Sequence, residues 1–137
     1  MKISKYLILI LSVLVIKTAG FSQEISARAE LDTNMILIGD HIKFSVELNQ
    51  PTYLTIEFPN FLDTIIKNVE ILERSKIDTT YITADQILLK QEFLLTCFDS
   101  GSYLIPPLPF PFEMNGRQDT LYSQPLWLGV NTFQIDS

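Results

Sequence analysis

One cysteine, Cys97, and one histidine, His41, are all the thiol and imidazole side chains this 137-residue chain contains. A lone cysteine excludes an internal disulfide, and one His with one Cys cannot build a zinc site. A catalytic thiolate needs a histidine or a positive neighbourhood, and His41 lies far from Cys97 in sequence. Cys97 therefore reads as a small buried hydrophobe within an apolar run. Basic residues are also scarce, 10 Lys and Arg against 16 Asp and Glu. That balance argues against nucleic acid and against anionic membrane surfaces, both of which require clustered cations. The acids are scattered rather than run together, so the charge reads as solubility. With five glycines in all, no phosphate-cradling loop occurs, and no nucleophile elbow or D-x-D-x-D-G calcium run is found. Asp32, Asp40, Asp78, Asp85, Asp99 and Asp119 are read as turn chemistry. No spacing singles out a carboxylate pair for glycoside hydrolysis. No catalytic, cofactor or metal residue is assigned, and the expectation is a protein that is not an enzyme.

A single long hydrophobic run is present, at the N-terminus. Lys2 and Lys5 precede Tyr6 to Ile16, which is apolar apart from Ser12 and too short to span a bilayer. Gly20 and Ser22 are small residues placed for cleavage before Gln23, so residues 1–22 are expected to be a signal peptide and the protein to be exported. No cysteine near the cut offers a lipid anchor. Cleavage takes away three lysines and no acid, moving the formal charge from −6 to −9. Residues 23–137 suffice for one domain with its own core, held by packing alone.

Beyond Ile25 the dominant period is two, the signature of strands with one buried face. Ile25 to Leu31 alternates, and after the Asp32-Thr33-Asn34 turn and Gly39-Asp40 come Ile42, Phe44, Val46 and Leu48 against His41, Lys43, Ser45 and Glu47. Tyr53 to Phe58 is read as a strand ended by Pro59, Asn60 to Asn68 as an irregular crossing, Val69 to Ile77 as a weaker strand, and Asp78-Thr79-Thr80 as a turn. Thr83 to Phe98 carries a capping-box pattern at Thr83 and Gln86 as well as a strand pattern; the turn after Phe98 selects the strand. Pro106, Pro107, Pro109 and Pro111 remove four ladder donors, which sets their stretch at an edge or in a bend. The alternative, a polyproline ligand at Pro106-x-x-Pro109, suits the core-like Phe110 and Phe112 less well. Asn115-Gly116 signals a two-residue hairpin. The final strand carries Trp127, which reads as core rather than as a sugar-stacking platform, because Tyr53, Tyr81 and Tyr122 share no register with it.

About seven short strands at this spacing predict an all-β fold, a single immunoglobulin-like β-sandwich. Asp99-Ser100-Gly101-Ser102-Tyr103 fits the corner of such a sandwich. There Gly101 would take the sharp turn, and the Tyr103 hydroxyl would bond to backbone a few residues upstream. The expected core is Ile42, Phe44, Val46, Leu48, Ile56, Leu89, Phe93, Leu95, Tyr103 and Trp127.

Three stretches together resemble a known family: Leu31 to Asp40, Phe98 to Pro107, and Gln124-Pro-Leu-Trp-Leu-Gly-Val-Asn131. They are similar to the N-terminal domain of BatD-like proteins, the bacterial oxygen-tolerance or aerotolerance membrane proteins. The resemblance implies a periplasmic or outer-surface immunoglobulin-like domain in the cell envelope, without catalytic residues. It also implies protein partners, among them membrane proteins with von Willebrand A-type domains. Members carry a later transmembrane helix; no such segment follows Asn131 here, so the chain is expected to be either a fragment of a longer member or a free-standing relative, and membrane association stays open between the two. The function expected is protein–protein interaction in an envelope assembly. A cell-surface carbohydrate-binding or adhesive module on the same fold is the alternative.

Overall fold

The computed structural model describes residues 24–132. The expected signal peptide and its cleavage site lie outside them. Among the described residues there are eleven strands and no helix: β1 (Ser26–Leu31), β2 (Met35–Leu37), β3 (His41–Pro51), β4 (Thr64–Ile66), β5 (Val69–Arg74), β6 (Asp78–Tyr81), β7 (Gln86–Cys97), β8 (Gly101–Ile105), β9 (Pro109–Met114), β10 (Arg117–Tyr122) and β11 (Leu126–Asn131). The count exceeds the expected seven because tertiary pairing recruits short segments and because prolines divide others.

One sheet runs β1-β3-β7-β5-β4 and is antiparallel throughout. β7 spans the segment whose sequence also fits a capped helix. β3 pairs with it from Gln86 to Thr96, so strand geometry gives nearly its whole length a partner on one edge. On the other edge of β7, β5 pairs with the Phe93–Cys97 half and β6 with Ile87 to Lys90. β6 corrects the reading of Asp78-Thr79-Thr80 as a turn. Thr79 and Thr80 are β-branched, Asp78 sits opposite Lys90, and the exposed edge of β7 supplies the partner that local sequence cannot show.

The second layer is a long ribbon turning at Asn115-Gly116. Both residues have positive φ, 54° and 75°, as the tight two-residue hairpin requires. β9 pairs β10, β8 pairs β11, and the register is continuous across the break: Pro109 opposes Tyr122 and Ile105 opposes Leu126. Pro106, Pro107 and Pro125 withhold ladder donors at the break. Ser123 bridges it, its N–H donating to Leu108 O at 3.1 Å while its Oγ accepts from Leu108 N at 2.9 Å. β2 joins β11 in parallel. Tyr53 to Phe58, expected as a full strand, keeps its alternation, with Leu54 and Ile56 buried, yet makes only one bridge, Ile56 to Phe112. Pro109 and Pro111 on the facing strand have no N–H to extend that ladder.

The two layers meet over one core. Ala29, Phe44, Val46, Phe93 and Leu95 from the first face Ile105, Phe110, Leu128 and Val130 from the second. Of the expected core, seven side chains are buried, and Leu89 and Tyr103 pack partly against it. Trp127 does not belong to it: the residue is 60% exposed. Leu128 and Val130 occupy the inward phase of β11, and a two-residue period then turns Trp127 to the outside.

Candidate functional site

The corner residues come together at the start of β8. The Tyr103 hydroxyl donates to Asp99 O at 2.8 Å, four residues upstream. The Cys97 thiol donates to the same carbonyl at 3.3 Å. Gly101 has φ 151°, a conformation that side-chain-bearing residues rarely adopt. Desolvation raises the Tyr103 phenol pKa above its ordinary value of 10.0; the Cys97 thiol and the Asp99 charge push it the same way, and a hydrogen bond with Asn68 opposes them. This constellation fixes a turn, and every group in it is occupied by structure.

Register brings His41 opposite Thr96, next to Cys97. The pleat then separates them: His41 is exposed on the outer face, and Cys97 is fully buried. Asp40 Oδ2 accepts from Leu37 N at 3.0 Å, Asp32 Oδ1 from Lys43 N at 3.2 Å and Asp119 Oδ1 from Thr120 N at 2.8 Å. These aspartates cap backbone. Among the described residues, no three His, Cys, Asp or Glu side chains converge as metal ligands.

The outer faces of the two layers differ in kind. On the first sheet, Lys43, Glu47, Lys90 and Glu92 form a solvated ion-pair ladder, with Lys90 3.7 Å from Glu47 and 3.5 Å from Glu92. The outer face of β2-β11-β8 carries Trp127, Gly129, Leu104, Ser102 and Met35, none of them ionisable. Trp127 sits opposite Leu104, and Gly129 lies between Ser102 and Met35. Leu104 is 41% and Met35 57% exposed. On the same side a trough of about 720 Å³ is lined in part by Gly101, Ser102, Gly129, Met35, Asn131 and Thr132. Met35 folds over β11 so closely that a Cβ on Gly129 would lie 2.5 Å from its Sδ. A second groove, about 620 Å³, runs between Tyr53–Glu57 and the β9–β10 hairpin and is edged by Glu57, Glu113 and Asp119.

Large apolar side chains gathered on one exposed, uncharged face mark an interaction surface, and tryptophan is the residue such surfaces most depend on. Sequence reasoning placed Trp127 inside and so missed this face. The available signal was phase: in Leu126-Trp-Leu-Gly-Val130 one of the two alternating sets must face outward. Among the described residues the fold is a β-sandwich whose β2-β11-β8 outer face carries no charged side chain. No protein-family model matches the chain, and no curated protein matches it either.

Proposed function

We propose that this protein is a non-catalytic, exported immunoglobulin-like module that binds another protein in a bacterial envelope assembly, as BatD-like proteins are expected to do. The carrying observation is the outer face of β2-β11-β8, where Trp127 stands 60% exposed against Leu104 on a surface without charge. Burying an indole and its apolar neighbours drives association without the cost of desolvating ions. The N-terminal targeting pattern supports action outside the cytoplasm. The resemblance of Leu31 to Asp40, Phe98 to Pro107 and Gln124 to Asn131 to BatD-like domains supports an envelope partner, with von Willebrand A-type membrane proteins the first to examine.

A second reading is favoured by one observation. The exposed Trp127 shares its sheet face with a trough lined in part by Ser102, Asn131 and Thr132, which together suit stacking and hydrogen bonding to a neutral sugar. The two readings separate in one experiment. A photo-crosslinking residue placed at Ser102 in cells is expected to capture an envelope protein, and Trp127→Ala to abolish capture. Saturable binding on a glycan array that is lost in Trp127→Ala, with no protein crosslinked, would replace the protein-binding reading with the carbohydrate one.

A further inference from the structure

We propose that Asn115 is a site of spontaneous backbone modification, converted through a cyclic imide to isoaspartate, and that this product unlocks the outer half of the β8–β11 ribbon. The reaction needs an asparagine carboxamide, the backbone N–H of the next residue, and no side chain holding the two apart. Gly116 is the only glycine that follows an asparagine in this chain; Met, Gln, Phe, Val and Thr follow the other five. The fold leaves both reacting groups free. Asn115 and Gly116 are exposed at the ribbon's tip, and no atom lies within 4 Å of where a Gly116 Cβ would stand. The Asn115 carboxamide has no hydrogen-bond partner among the described residues, whereas Asn49 Oδ1 accepts from Gln86 at 2.6 Å and Asn68 is engaged with Tyr103. The Gly116 N–H lies inside the two-residue turn, between the Met114 and Arg117 rungs, and donates to no described backbone group. Exposed tips fray at little cost, which lets Asn115 leave its left-handed conformation, φ 54°, for the geometry of attack.

In the first step the deprotonated Gly116 nitrogen attacks Asn115 Cγ, the C–N bond of the succinimide forms, and ammonia leaves with the proton. Water then opens the ring. Attack at the Cγ carbonyl gives aspartate, and attack at the backbone carbonyl gives isoaspartate. Either product adds one negative charge. Isoaspartate also routes the main chain through an extra methylene, inside the turn that sets the register of β9 against β10. The disturbance stops at the proline break, because Pro106, Pro107 and Pro125 already divide the ribbon and Ser123 anchors Leu108 there from both sides. It also reaches Tyr53 to Phe58, whose backbone holds β9 through the Ile56–Phe112 bridge and the Glu57 N–H to Pro111 O bond at 3.1 Å.

Ageing the purified protein in neutral buffer at physiological temperature, followed by peptide mapping, tests the site. The peptide carrying Asn115 is expected to gain the mass of an amide turned acid, ahead of every other asparagine peptide, and to become a substrate for an isoaspartyl methyltransferase. Asn115→Gln should remove both signals. The isoaspartyl form, separated by ion exchange, should lose hydrogen-exchange protection at least tenfold in β9, in β10 and at Glu57, and keep it in β8 and β11. Asn115→Asp carries the same charge without the methylene and should keep native protection throughout. Asn115 still amidated in the folded protein after the urea-unfolded chain has converted overturns the proposal. Isoaspartate with native protection in β9 and β10, or Asn115→Asp losing protection as isoaspartate does, overturns the unlocking.

Discussion

Single side chains close this sandwich at two places. Tyr103 ties the corner through Asp99 O, and its phenol pKa lies above the ordinary 10.0, chiefly by desolvation. A phenol with a raised folded pKa favours the neutral form. Its contribution is complete below about pH 10 and is lost as pH climbs through the raised value. Alkaline titration followed by tyrosinate absorbance should therefore show a component above the ordinary phenol value, and Tyr103→Phe should delete it. The same variant should lower the urea midpoint at neutral pH, and Gly101→Ala should lower it too by forcing a Cβ into φ 151°. Midpoints unchanged in both would refute the corner's role. Gln124 is the second closure, and no local pattern announces it. Its Nε2 donates to Ala29 O at 2.6 Å and its Oε1 accepts from Ala29 N at 3.4 Å, so a carboxamide completes the outer edge of β1 as a neighbouring strand would. Gln124→Ala leaves both backbone groups of a fully buried residue without those partners and should cost roughly 1–3 kcal/mol in urea unfolding. Faster hydrogen exchange at the Ala29 amide would locate the loss.

Strand-level behaviour follows from where donors are missing. Prolines at 106, 107, 109, 111 and 125 divide the β8–β11 ribbon, while Ser123 and the shared register keep its halves aligned. The hairpin that sets this register depends on left-handed backbone at Asn115, φ 54°. Asn115→Val places a β-branched side chain there and should destabilise by about 1–3 kcal/mol, with hairpin amides losing protection first. Unchanged protection across β9 and β10 would mean that the ribbon's register is set elsewhere. The proline-facing segment at Tyr53 to Phe58 shows the reverse case, a strand pattern that finds one bridge because its partner lacks donors. β6 shows the other reverse, a turn-like tetrapeptide made a strand by the open edge of β7.

At the scale of the whole molecule, one buried core and one uncharged outer face set where substitutions cost stability. Phe44 is fully buried, with its ring centroid 5.8 Å from that of Phe93. Phe44→Ala should cost about 3–5 kcal/mol in urea unfolding. Trp127→Ala, despite removing the larger side chain, should change stability by about 0.5 kcal/mol or less, because that side chain lies on the solvent side of β11. A loss at Trp127 comparable to that at Phe44 would return it to the core and remove the binding face with it.

What the sequence determined by itself was local. The two-residue period marked β1 and β3 as strands, the turn after Phe98 selected the strand for β7, Asn115-Gly116 marked the hairpin, and Gly101 with Tyr103 marked the corner, because each depends on backbone preferences within a few residues. Tertiary structure decided which strand edge and which strand face each segment would meet. In Leu126 to Val130 both alternating sets lack charge, so no polar residue marks the solvent side, and only the layer packed against Leu128 and Val130 turns Trp127 outward. The candidate face joins β2, β8 and β11 from distant parts of the chain, and Gln124 reaches Ala29 across 95 positions. Such meetings are set by sheet pairing and by burial against a second layer, which act between segments and leave no periodic mark within any one of them.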